Sequence, residues 1–126
     1  MTQRGRFGVS FQMEGVVVKI LEAAGRFTSS GTEANHYEEH LRVPDMSVGT
    51  YSIPVGGVDD QTPHSEDEIY VVVRGRGKIV GDEDALDIGP GSVIYVAAGE
   101  EHRFTDITEH LALLVFFAPA EGSRES

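Results

Sequence analysis

The chain has 126 residues, which is enough for one domain with a buried core and too few for two domains of ordinary size. Its 10 Lys and Arg residues stand against 21 Asp and Glu residues, and the resulting net charge of −11 opposes binding to the phosphate backbone of nucleic acids. Because cysteine is absent, disulfides, zinc–thiolate sites and thiol nucleophiles are excluded, and any metal needs His and carboxylate ligands. We expect a single domain over residues 1–126 that binds no nucleic acid.

The N-terminal part of the chain predicts one short helix. Apolar residues recur at helical spacing before Gly25, which would end the helix: Val16, Val17, Ile20, Leu21 and Ala24. Residues 7–14 are interrupted by glycine and polar residues and lack the apolar run of a signal peptide. We therefore expect a cytoplasmic protein, with flexible ends at residues 1–5 and 120–126.

The rest of the chain predicts β-structure. Segments rich in β-branched and aromatic residues alternate with glycine-rich turns, and no helical pattern separates them, which favours an antiparallel sandwich or barrel. The most apolar segment, Leu111–Ala118, has eight residues and so fits a buried strand rather than a membrane span of about 20 residues. The predicted strands are Tyr37–Val43, Val48–Ile53, Ile69–Arg74, Lys78–Val80, Leu86–Ile88, Val93–Val96, His102–Thr105 and Leu111–Phe117.

Two imidazoles and one carboxylate stand out in this β-rich part of the chain. His64, Glu68 and His102 are the ligand types of an octahedral metal site with open positions, as in non-haem Fe(II) chemistry. His64 is predicted to end one strand and Glu68 to open the next, so both side chains can point to one face. Alternation along the strand then places Thr62, Tyr70 and Val72 on the inward face.

A first motif surrounds His64 and Glu68. The chain reads Gly56, five residues, Thr62-Pro63-His64, three residues, Glu68, six residues and Gly75. This spacing resembles the first signature of the cupin superfamily, G-x5-H-x-H-x3-E-x6-G. Thr62 stands where that signature has its first histidine, so one of the four usual metal ligands is missing.

A second motif surrounds His102. The chain reads Gly91, five residues, Ala97-Ala98-Gly99, two residues, His102, three residues and Asp106. It is similar to the second cupin signature, G-x5-P-x-G-x2-H-x3-N, with Ala97 in place of the proline and Asp106 in place of the asparagine. Together the two motifs cover residues 56–106, and their order makes the resemblance more specific than either motif alone.

The resemblance implies a fold and a cofactor. The implied fold is all-β, a double-stranded β-helix or jelly-roll barrel, following the one short N-terminal helix. The implied cofactor is one divalent metal ion per chain, bound by His64, Glu68 and His102, with Fe preferred and Mn, Ni or Zn as alternatives. Gln61 or a water is a candidate for the vacated fourth position, although strand alternation places Gln61 on the outer face unless the strand is bulged.

The resemblance also implies a small-molecule pocket. Thr62, Tyr70 and Phe104 are the predicted pocket residues, with an apolar wall and a hydroxyl from the two aromatic residues. A mononuclear non-haem Fe(II) dioxygenase that acts on a small oxygenated molecule is the first hypothesis. The alternatives are a Lewis-acid isomerase, epimerase or cyclase and a non-catalytic small-ligand-binding cupin. We expect a homodimer, with Leu111–Phe117 either in the core or at the interface.

The remaining polar residues are interpreted more simply. His36 and His40 share one predicted strand face, where they either reach the pocket or, flanked by carboxylates, stay exposed. His110 is predicted to be structural. The acidic pairs Asp59-Asp60 and Glu66-Asp67 fall at predicted turns, and we assign them no chemistry.

Overall fold

A computed structural model describes residues 10–13, 16–28 and 35–125, and in these ranges it contains strands and turns but no helix. None of these residues forms a helix that is long and apolar enough to cross a membrane. The strands are β1 Ser10–Met13, β2 Val16–Lys19, β3 His36–Val43, β4 Met46–Ile53, β5 Asp67–Val80, β6 Ala85–Ile88, β7 Val93–Val96 and β8 Arg103–Ala118.

The helix predicted between Val16 and Ala24 is not formed. Val16–Lys19 is instead strand β2, which pairs antiparallel with β1, and a turn follows at residues 22–25. Three consecutive valines begin this segment, and β-branched side chains are stiff at χ1 and favour strands over helices. The predicted flexible residues 1–5 lie outside the described part of the chain.

The two long strands β5 and β8 organise the main sheet, whose order is β3-β4-β8-β5-β6 with β7 also paired to β5. Strand β8 pairs with β5 along most of its length, while the other edge of β5 pairs with β7 at Glu68–Val71 and with β6 at Gly77–Val80. Breaks in register between Val72 and Lys78 interrupt the long ladder. The result is the predicted jelly-roll architecture, all-β and antiparallel.

Gly75 explains why the predicted strands Ile69–Arg74 and Lys78–Val80 are in fact one strand, β5. The sequence predicted a break between these strands at Gly75, but β5 continues through this position. Gly75 has a φ of 96°, and a Cβ there would collide with the backbone carbonyl of His110 on β8. The residue therefore marks a bulge at which β5 passes close to β8, rather than the end of a strand.

The core lies between the inward faces of β4, β5 and β8. The predicted inward orientation of Tyr70, Val72 and Phe104 is confirmed, since each is only 1% exposed. The apolar segment that was predicted to fill the core or an interface fills the core of its own chain: Leu111, Leu113, Val115 and Phe117 are all buried. Homodimerisation stays a prediction.

The C-terminal segment is bound to the barrel and is not frayed over residues 120–125. Ala120 is buried, and the amide of Glu121 donates to Ser47 Oγ over 2.9 Å. The buried carboxylate of Glu66 accepts the amides of Gly122 (2.8 Å) and Arg124 (2.9 Å). Glu66 therefore anchors this segment. The sequence had indicated a solvated turn residue, and that interpretation is wrong.

Candidate functional site

Glu68 and His102 form a buried pair inside the barrel. Glu68 is the second residue of β5, where the register places it between Phe117 of β8 and Val96 of β7. His102 directly precedes β8, and its Nε2 lies 3.3 Å from Glu68 Oε1. The relative exposures are 2% for Glu68 and 9% for His102, so this charged or polar contact is shielded from bulk water.

Backbone geometry orients His102 toward Glu68. Its Nδ1 lies 2.9 Å from the carbonyl oxygen of Glu100, which can only accept a hydrogen bond, so Nδ1 carries the proton. The other ring nitrogen, Nε2, is thereby directed into the interior. Such a backbone contact is the usual way in which a protein fixes the tautomer of a functional histidine.

The second oxygen of Glu68 is unusual. Glu68 Oε2 is buried and has no hydrogen-bond partner among the residues that the structure describes. Burial raises the pKa of Glu68 to about 7. An unpaired buried carboxylate oxygen is costly, and such groups concentrate at functional sites.

Tyr70 and Gln61 connect this pair to His64. The Tyr70 hydroxyl lies 2.9 Å from His102 Nε2 and 3.2 Å from Gln61 Oε1. Gln61 Oε1 is also 3.1 Å from His64 Nε2. Burial, followed by the nearby His102, lowers the pKa of His64, so this imidazole is neutral at neutral pH.

The predicted ligands are only partly brought together. Across residues 10–13, 16–28 and 35–125, no three His, Cys, Asp or Glu side chains are placed so that they could hold a metal ion. Glu68 and His102 are in contact, whereas His64 reaches them through Gln61 and Tyr70, with 6.2 Å between the two imidazole centroids. The amide and the phenol thus occupy the space at which the three side chains converge.

The two motifs are joined by backbone contacts. The amide of Gly99 donates to the carbonyl oxygen of His64 over 2.8 Å, which connects the turn of the second motif to the first. Asp106, which replaces the asparagine of the second signature, has a φ of 51°. Asp and Asn both tolerate this left-handed conformation, so the replacement preserves the backbone geometry.

Gln61 and Thr62 exchange the orientations that strand alternation predicted. Residues 57–66 form no strand, so the period-two pattern does not apply to them. Thr62 is exposed and does not line the interior cavity, whereas Gln61 points inward to His64 and Tyr70. The inward polar group at this end of the motif is therefore an amide.

Asp59 holds Gln61 in place, a role that the sequence did not reveal. Asp59 is 5% exposed and accepts hydrogen bonds from the Tyr51 hydroxyl (2.6 Å), the Gln61 side-chain amide (2.8 Å) and the backbone amide of Phe104 (2.8 Å). Because Gln61 Nε2 is committed to Asp59, Oε1 faces the site. An acidic pair beside glycines resembles a solvated turn, so no local signal distinguishes Asp59.

A cavity of about 220 Å³ opens beside this network. Glu121, from the C-terminal segment, lies at its wall with Oε2 3.6 Å from His64 Nδ1. Glu68, His102 and Phe104 do not line this cavity, but Tyr70 does. The described residues that line it are Asn35, Tyr37, Tyr51, Asp60, Gln61, His64, Tyr70, Val115, Phe117 and Glu121.

The other three histidines lie outside the cavity lining. His36 is exposed, and His40 Nε2 is 2.7 Å from the Thr50 hydroxyl at a bulge in β3. His110 accepts the amide of Val55 over 3.0 Å and stacks on Phe27, in agreement with its predicted structural role.

Sequence comparison identifies relatives of this chain. The family model described as Cupin domain matches residues 49–117, which is more than half of the chain. The uncharacterized protein SCO3923 of Streptomyces coelicolor is 45% identical over 86 residues, which span 68% of this chain and 82% of that protein.

Comparison with solved structures supports the same architecture. TT1209 from Thermus thermophilus superimposes with a TM-score of 0.65 at 20% identity, covering 82% of this chain and 97% of that one. The EutQ protein of Clostridium difficile gives a TM-score of 0.67 at 16% identity, covering 94% and 92% respectively. At such identities the similarity concerns the fold alone.

Proposed function

The chain belongs to the cupin family, and we propose that it binds a small molecule beside one divalent metal ion held by His64, Glu68 and His102. The observation that carries the proposal is the buried Glu68 carboxylate. One of its oxygens lies 3.3 Å from His102 Nε2, and the other has no partner in the described part of the chain. A cation would satisfy both the charge and the free oxygen.

The donor set suits such an ion. Ligand atoms that bind one ion at about 2.1 Å and at right angles are about 3 Å apart, close to the separation of Glu68 Oε1 and His102 Nε2. The lowered pKa of His64 keeps its imidazole in the neutral form that binds metals. Two imidazoles with one carboxylate are typical of non-haem Fe(II), and Mn, Ni and Zn accept the same donors.

Because the first histidine of the cupin signature is missing, another group must supply the fourth metal ligand. Gln61 offers its carbonyl oxygen there, and Asp59 fixes the amide in that orientation. Metal binding at His64 and His102 requires Gln61 and Tyr70 to release the two ring nitrogens that they now contact. We therefore expect weaker binding than at a complete four-ligand site.

The chain's own residues would position a substrate in the cavity. Tyr70 lines it with a hydroxyl that reaches His102, and Phe117 and Val115 supply apolar walls. Bound Fe(II) would supply activation of O2, which makes a dioxygenase for a small oxygenated molecule the first reaction class to test. Lewis-acid isomerisation, epimerisation or cyclisation and non-catalytic ligand binding are the alternatives.

Elemental analysis after anaerobic loading with Fe(II), Mn(II), Ni(II) or Zn(II) tests the metal proposal. We expect about one ion per wild-type chain and at least a tenfold loss of affinity in His102→Ala and His64→Ala. His36→Ala is the matched control, because this exposed histidine lies outside the site. Wild-type protein that takes up none of the four metals at neutral pH would refute the proposal.

The reaction class is tested separately with nitric oxide, which serves as a surrogate for O2. An Fe(II) site with an open position should give a paramagnetic nitrosyl adduct that electron paramagnetic resonance detects. An iron-loaded protein that forms no adduct contradicts the dioxygenase and leaves the Lewis-acid class, which should operate equally with zinc or nickel and without oxygen.

A further inference from the structure

Aromatic rings form much of the wall of the cavity. Tyr37, Tyr51, Tyr70 and Phe117 all line it. The rings of Tyr37 and Tyr51 are inclined by 67°, and Phe117 is inclined by 64° to the imidazole of His64. The faces of phenol and benzene rings attract cations.

The charged groups in the lining are carboxylates. Asp60 and Glu121 contribute acidic groups, and no Lys or Arg is among the described residues of the lining. Arg42 is committed elsewhere, since its guanidinium donates to the Glu39 carboxylate and to the backbone carbonyl of Glu121, each over 2.9 Å. The cavity therefore disfavours anions.

Tyr37 is fixed at the cavity wall by close packing on β4. The Tyr37 hydroxyl oxygen is buried without a hydrogen-bond partner among the described residues, although it can accept a bond. Glycine at position 49 leaves room for this ring, since a Cβ there would overlap it.

We propose that the cavity selects a small organic ammonium ion, enclosed by Tyr37, Tyr51 and Phe117 and paired with Glu121. A volume of about 220 Å³ lies below the 300–1,000 Å³ typical of pockets for drug-sized molecules, so the ligand is small. This inference rests on the proposed function only in that the cavity is the small-molecule pocket. It does not depend on the metal.

Three probes of similar size and different charge test this selection on the intact protein. Tetramethylammonium is the cation, tert-butanol the neutral analogue and pivalate the anion, and binding is followed by the amide chemical shifts of Phe117 and Tyr51. We expect tetramethylammonium to bind about tenfold more tightly than tert-butanol, and pivalate to give no saturable shift. Equal affinity for tert-butanol, saturable binding of pivalate, or no saturable binding of tetramethylammonium would each overturn the proposal.

Two variants test whether tetramethylammonium binds in the cavity. Glu121→Gln should weaken tetramethylammonium about fivefold, and Phe117→Leu should weaken it to a similar degree through loss of the ring. Glu109→Gln removes the same charge from an exposed position of β8 outside the cavity and should leave the affinity unchanged. A similar loss in Glu109→Gln would mean that general charge, and not the cavity, attracts the cation.

The outcomes separate this proposal from the metal proposal. Metal uptake without tetramethylammonium binding overturns only the ammonium ligand. Tetramethylammonium binding without metal uptake overturns only the metal site. The probe series uses wild-type protein, so it remains decisive even if a variant fails to fold.

Discussion

Strands β5 and β8 bury apolar side chains in one region and polar side chains in another. Around the Val72–Leu113 pair the inward side chains are apolar and almost completely inaccessible. Near the start of β5, the same two strands bury Glu68 beside Phe117, with His102 and Tyr70 in contact. Burial of apolar surface stabilises the fold by about 25 cal/mol per Å², whereas an unpaired carboxylate oxygen costs free energy. The middle of the ladder therefore supports the fold, whereas the start of β5 carries a cost that function would explain.

The largest expected effect is in the apolar middle of the ladder. Leu113→Ala should lower the free energy of unfolding by about 2–5 kcal/mol, because Leu113 is completely buried and its removal leaves a cavity. Urea unfolding measures this loss. Val93→Ala, at a residue that is 66% exposed, is the control and should change stability little. A loss below about 1 kcal/mol at Leu113 would contradict the tightly packed core.

The second prediction concerns how Glu68 makes the stability of the metal-free protein depend on pH. Burial raises the pKa of Glu68 from 4.5 to about 7, so the folded state binds more protons than the unfolded state between these values. The stability that Glu68 contributes is therefore fully present below pH 4.5 and is lost as the pH rises through about 7.

The comparison with Glu68→Gln isolates this effect. Relative to the variant, the wild-type protein should lose on the order of 3 kcal/mol of unfolding free energy between about pH 4.5 and pH 8. Chemical denaturation at a series of pH values measures the difference, because the glutamine does not titrate. If the difference in unfolding free energy stays constant over this pH range, burial does not shift the pKa of the Glu68 carboxyl.

A smaller effect is expected at Asp59. In Asp59→Asn the new NH2 group faces either the Gln61 and Phe104 amides, which both donate to Oδ2, or the Tyr51 hydroxyl, which donates to Oδ1. In either orientation at least one buried group loses its acceptor. We expect the variant to lose about 1–3 kcal/mol of unfolding free energy. Asp60→Asn is the matched control, since Asp60 is exposed. Equal losses in both variants would argue against Asp59 as the group that fixes Gln61.

The polar and apolar interiors also differ in how well the sequence predicted them. Alternation placed Tyr70 and Val72 inward correctly, because β5 is a regular strand there. The same rule failed at Gln61 and Thr62, because residues 57–66 form no strand and their orientation depends on contacts such as Gln61 with Asp59. Sequence period carries information only where the backbone is regular.

The sequence by itself determined the β-architecture and the family, because strand patterns and motif spacing are local properties of the chain. It indicated the contact of Glu68 with His102 only through the family resemblance. The tertiary structure alone decided which acidic residues are buried and accept hydrogen bonds from distant parts of the chain. Asp59 bonds to Phe104 and Glu66 to Gly122, at separations of 45 and 56 residues. It also placed Glu121 at the cavity wall and Gln61 and Tyr70 between His64 and His102. Hydrogen bonds between residues so far apart depend on how the barrel folds back on itself, which no local pattern records.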